Sequence, residues 1–98
     1  MADIPRTSKT SQISERLKDV AASDSGFIFD PFTGLTFTVN PTAHHILDAL
    51  KAGDDRHAIM EGLREAFDTI DSDDLERDLR EFMLLLREQG LIPRDAEV

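Results

Sequence analysis

The 98-residue sequence contains no cysteine, which excludes disulfides, thiolate zinc sites and a cysteine nucleophile. It has no apolar run approaching the ~18 residues of a membrane span, so no membrane partner is expected. The first twelve residues, MADIPRTSKTSQ, are polar and lack an apolar h-region, so no signal peptide is expected and a cytoplasmic location is the default. Neither a glycine-rich phosphate loop nor a nucleophile elbow occurs. The serines and threonines are scattered, and the plentiful carboxylates read as solvated helix faces. No enzyme and no cofactor are expected. Positive charge is scarce: 11 Lys and Arg stand against 20 Asp and Glu, for a formal charge of −9. Residues 1–40 carry four basic and five acidic side chains, a net of −1, whereas residues 41–98 carry seven and fifteen, a net of −8. Such a surface repels a phosphate backbone, so nucleic acid is not an expected partner.

Two metal readings fail on spacing. An EF-hand loop starting at Asp71 would need an acidic or amide residue where Leu75 stands and glycine where Glu76 stands. His44 and His45 are adjacent, so on a helix they point about 100° apart and cannot grip one metal as an i, i+4 pair could. His57 falls on the next helix.

What is present is organised around Gly26–Asn40, GFIFDPFTGLTFTVN. Phe27 and Phe29 share one face of a first alternating run, and Leu35, Phe37 and Val39 share one face of a second. This period of two, with aromatic and β-branched residues, predicts a pair of strands. Between them, Asp30-Pro31-Phe32-Thr33-Gly34 supplies proline for a type I turn and glycine where φ must be positive, so a hairpin with a bulge at Gly34 is expected.

Residues 1–12 have few apolar anchors and are expected to form a mobile tail. Residues 13–23, ISERLKDVAAS, fit either a helical turn, from the spacing of Leu17 and Val20, or a strand around Lys18–Ala22. The strand is the preferred reading, because an isolated hairpin is marginal in water.

Asn40-Pro41 marks a helix start. Ala43, Ile46, Leu47 and Leu50 form its apolar stripe, and Gly53 ends it. Asp54 or Asp55 caps a second helix, with Ile59, Leu63, Ala66 and Phe67 on one face. Asp71 or Ser72 caps a third, whose inward stripe is Leu75, Leu79, Phe82 and Leu86. Met83, Leu84 and Leu85 widen that surface. Gly90 and Pro93 stop the helix, Leu91 and Ile92 pack back, and residues 93–98 are expected to be a short acidic tail. Strands followed by helices argue for an α+β domain, a three-stranded antiparallel sheet followed by a three-helix bundle. Three strands cannot close on themselves, so one edge stays free unless a partner covers it. A groove between that edge and the third helix could take an extended peptide.

The run FDPFTGLTFTVNPTAHHILDAL, followed by a Gly-Asp helix start, resembles PqqD-type proteins. LERDLREFMLLLREQGLI is similar to the closing helix of that family. The likeness covers about residues 13–92 and leaves residues 1–12 without a counterpart. Val39 stands where the family often has leucine. The resemblance implies a winged-helix-like domain that recognises the leader of a ribosomally made precursor peptide and delivers it to a modifying enzyme, often a radical SAM enzyme. It implies that the leader adds as a strand to the third strand, here Leu35–Val39, and packs against the third helix, here Leu75–Gln89. The peptide-binding residues expected on this basis are Leu35, Thr36, Phe37, Thr38, Val39, Leu79, Phe82, Met83 and Leu86.

Two other readings compete. One is a winged-helix DNA-binding regulator, but Arg77, Arg80 and Arg87 of the third helix are interleaved with Glu76, Asp78, Glu81 and Glu88. The other is a small dimerisation module using the same free edge.

Overall fold

The computed structural model describes residues 9–98, with side chains from residue 12 onward. A short helix α1 (Lys9–Leu17) leads into a sheet of β1 (Ala21–Ala22), β2 (Phe27–Phe29) and β3 (Thr36–Thr38). Three helices follow, α2 (Pro41–Lys51), α3 (Arg56–Ala66) and α4 (Ser72–Glu88). The sheet is antiparallel in the order β1-β2-β3. The α+β architecture read from the sequence is present, with one helix more than expected.

That extra helix corrects the N-terminal boundary. Residues 9–12, assigned to a tail, lie in α1; residues 1–8 lie outside the described part. Ile13, Leu17 and Val20 are all buried; Ile13 and Leu17, four apart, share one face of α1, and Val20 follows just past its end. The segment therefore uses both readings in turn. The Val20 amide closes onto the Leu17 carbonyl at 3.0 Å, ending the helix, and only Ala21–Ala22 remains as strand.

The hairpin forms as the turn residues require. Asp30 N–H donates to the Leu35 carbonyl, while the Asp30 carbonyl accepts from Gly34 N–H at 2.8 Å instead of from Leu35. Gly34 is thus the inserted residue, at φ 75°, a region few L side chains enter. Asp30 is buried beneath the loop. Its carboxylate accepts from the Phe32 amide at 3.3 Å and the Thr33 hydroxyl at 2.8 Å, closing an Asx-type turn.

The inward face of the hairpin carries Ile28 and its cross-strand partner Phe37. Phe27 and Phe29 point the other way and remain exposed. Period-two spacing identified the two faces but not which one meets the helices; the single fully buried Ile28 decides it.

Asn40 caps α2 by accepting from the Ala43 amide at 2.9 Å, with Pro41 at the first helical position. Asp55 caps α3 through the Ala58 amide. Asp71 occupies the cap position of α4 without a side-chain bond, and Asp73 and Asp74 sit in the first turn, where the helix dipole favours negative charge. The α2 and α4 stripes meet in one core, in which Ile46, Leu47, Leu50, Leu75, Leu79 and Leu86 are fully buried. On α3, Ile59 and Leu63 are buried, but Ala66 is exposed and Phe67 only half-buried, because the helix ends there.

The C-terminal segment also corrects an expectation. Ala96 is buried and its carbonyl accepts from Arg87 Nη1 at 2.9 Å. Residues after Pro93 fold back onto α4 instead of trailing away.

Candidate functional site

β3 is an outer strand of the sheet. Its pairing with β2 fixes which backbone groups face away. The Leu35 carbonyl accepts from Asp30 and the Val39 amide donates to the Gly26 carbonyl, both at 2.9 Å. Between them run the pairs Phe29 with Thr36, Ile28 with Phe37, and Phe27 with Thr38. Hydrogen-bonded and non-hydrogen-bonded pairs alternate along an antiparallel ladder. Leu35, Phe37 and Val39 therefore turn their backbone groups toward β2, and Thr36 and Thr38 turn theirs outward. Among the described residues, no backbone bond outside the ladder reaches Thr36 or Thr38.

Beside the end of this strand lies a cleft of about 210 Å³ lined by Thr38, Val39, Asn40, Ala43, Asp78, Glu81, Phe82 and Leu85. The α4 contributors recur at i, i+3, i+4 and i+7, so they form one helical stripe. It is acidic at Asp78 and Glu81 and apolar at Phe82 and Leu85. The start of α2 closes the acidic end. There the buried Thr42 hydroxyl lies 2.9 Å from Asp78 Oδ2 and 2.9 Å from Asn40 Oδ1. Asn40 Oδ1 also accepts from Ala43 N–H.

The site residues expected from the sequence divide into three groups. Thr38, Val39 and Phe82 line the cleft, and Thr36 reaches the open edge through its backbone. Leu35 and Phe37 are half-buried against the core on the inner face of the hairpin. Leu79 and Leu86 are buried in the core, and Met83 lines a different cleft with Arg56, Arg80 and Arg87. Helical geometry explains the division: each residue turns about 100°, so the buried stripe of Leu75, Leu79, Phe82 and Leu86 and the cleft stripe share only Phe82. Asn40, Ala43, Asp78, Glu81 and Leu85 join the cleft without having been assigned to it. The i, i+3, i+4, i+7 spacing of Asp78, Glu81, Phe82 and Leu85 was the available signal, obscured by its two charges.

The arginines of α4 do not converge on the cleft. Arg77 pairs with Asp74 at 3.3 Å, and Arg80 and Arg87 face the cleft that holds Met83. His44 Nε2 lies 2.8 Å from the Ser23 carbonyl, which fixes the proton on that nitrogen and ties α2 to the β1–β2 turn. His45 stacks edge-on with Phe67 at 5.8 Å between α2 and α3.

The fold defines a class: a small α+β domain with an open sheet edge beside a helix-lined groove. Within that class the chain belongs to the PqqD family, since the family model described as coenzyme PQQ synthesis protein D matches residues 26–92. The match runs from the start of the hairpin to the turn after α4. The family is one of peptide-binding chaperones in precursor-peptide modification, accessory to the modifying enzymes and not catalytic themselves. No curated protein and no solved structure matches the chain. Among the described residues no helix is long and apolar enough to cross a membrane.

Proposed function

We propose that this protein binds the leader of a ribosomally made precursor peptide by strand addition to β3 and presents it to a modifying enzyme, a radical SAM enzyme or one of equivalent role, in the cytoplasm. The observation that carries the reading is the outward-facing backbone of Thr36 and Thr38 beside a cleft floored by Val39, Phe82 and Leu85. An extended chain laid there gains main-chain hydrogen bonds from the edge and places alternate side chains toward the helix. Membership of the PqqD family supports the same reading. Leu35 and Phe37 contribute from beneath, by holding β3 against the core.

The test is a titration of the labelled protein with the leader of a precursor peptide encoded beside its gene. The amides of Thr36, Thr38 and the Asp78–Leu85 face of α4 are expected to shift. Shifts confined to α2 and α3 would sink the reading.

A further inference from the structure

The acidic end of the cleft carries more hydrogen-bond acceptors than donors. Thr42 carries one hydroxyl hydrogen, yet its oxygen lies 2.9 Å from two acceptors, Asn40 Oδ1 and Asp78 Oδ2. Asn40 Oδ1 already accepts from the Ala43 amide, which leaves the one hydroxyl hydrogen for Asp78 Oδ2. Thr42 is only 5% exposed, so water has little access to the shared contact. Asp78 is half-buried, and Glu81 stands one turn along the same stripe. Neither carboxylate is in an ion pair with a cation among the described residues. The positive end of α2 offsets part of this charge, but its Ala43 amide is already committed to Asn40. A group that brings both positive charge and hydrogen-bond donors is the complement of such a cluster.

Resting on the peptide-binding reading, we propose that the cleft selects peptides carrying a lysine or arginine, held by Asp78 and Glu81, next to an apolar side chain held by Phe82 and Leu85. The midpoints of the acidic and apolar halves are four residues apart on α4, about 6 Å at the helical rise. Two residues of an extended strand span about 6.7 Å. The basic and apolar side chains of the guest therefore sit two positions apart, both on the face that meets the helix. The guest's intervening side chain points toward the solvent-exposed face that carries Phe27 and Phe29.

The experiment uses the full chain as bait for a phage-displayed random peptide library. The strongest synthetic peptide is then compared with its analogue bearing leucine at the basic position. Binding is read by fluorescence anisotropy and located by amide shifts. Selected peptides are expected to carry Lys or Arg two positions from an apolar residue. Glu81→Gln, an exposed position that leaves the fold intact, should weaken the basic peptide about tenfold, as loss of one charge-assisted contact does. It should barely change the leucine analogue. Asp78→Asn, which keeps an acceptor for Thr42, should act in the same direction. Peptides that shift Thr36 and Thr38 but lack a basic residue, or ignore both substitutions, would overturn the selection rule and leave strand addition standing. Peptides that bind elsewhere, or no enrichment at all, would overturn both.

Discussion

A Cβ atom built on Gly26 falls 2.5 Å from the carbonyl oxygen of Val39. The contact joins the turn before β2 to the last residue of the β3 ladder, next to the groove. Gly26 also has φ near 87°, so an alanine there meets both a backbone clash and a conformation it disfavours. Gly34 has φ near 75° but open space around it. Gly34→Ala should cost about 1 kcal/mol, while Gly26→Ala should cost roughly 2–3 kcal/mol because the backbone must also move. Urea unfolding of the two variants checks this. Equal losses would show that the approach of Gly26 to Val39 has no energetic weight.

Thr42 links α2 to α4 through Asp78, 36 residues away in sequence. Thr42→Val keeps the side-chain shape but removes the hydroxyl, leaving a half-buried carboxylate oxygen without its protein donor. A loss of about 1–2 kcal/mol is expected, seen as a lower urea midpoint with an unchanged slope. Thr42→Ser retains the hydroxyl and should recover most of that loss. If valine were as stable as threonine, the 2.9 Å contact would contribute nothing net.

The parts of the fold legible in the sequence were those set by local chemistry. Asn40-Pro41 announced a capped helix, Asp30-Pro31 and Gly34 announced a bulged hairpin, and Leu75, Leu79, Phe82 and Leu86 announced the buried stripe of α4. Assignments that depend on what lies opposite were less legible. Leu17 and Val20 read as weak helix signals because α2, against which α1 packs, is remote in sequence. Ala96 is buried in a segment that Arg87 ties back to α4 through the Ala96 carbonyl. The groove suffered most: strong apolarity marks a core position, whereas a groove wall is half-exposed and admits charge. Leu79 and Leu86, singled out for their apolarity, lie in the core, whereas Asp78, Glu81 and Leu85 line the cleft.

That distinction can be measured with two leucines of one helix. Leu79 is fully buried, and Leu79→Ala should destabilise the domain by about 2–5 kcal/mol through lost contacts and a residual cavity. Leu85 is half-buried at the groove. Leu85→Ala should cost less than about 1.5 kcal/mol of stability, since part of its surface already meets water. Its effect should instead appear as weaker peptide binding. Thermal melts and anisotropy titrations on both variants separate the roles. Peptide affinity unchanged in Leu85→Ala would remove that residue from the groove's working surface.

The sharpest test of the edge uses the one residue type that lacks an amide hydrogen. Thr38 directs its N–H away from β2, so Thr38→Pro removes an outward donor without breaking the β2–β3 ladder. Phe37, which precedes it, is already in the extended conformation that proline requires of its neighbour. The fold should survive, with circular dichroism close to wild type and a modest fall in melting temperature. Peptide affinity should drop at least about tenfold, because an added strand loses a main-chain hydrogen bond and meets the proline ring. At Phe37, whose N–H points inward, Phe37→Pro would break the ladder and should unfold the hairpin. A folded Thr38→Pro variant that still bound peptide with full affinity would mean that the guest does not pair with this edge.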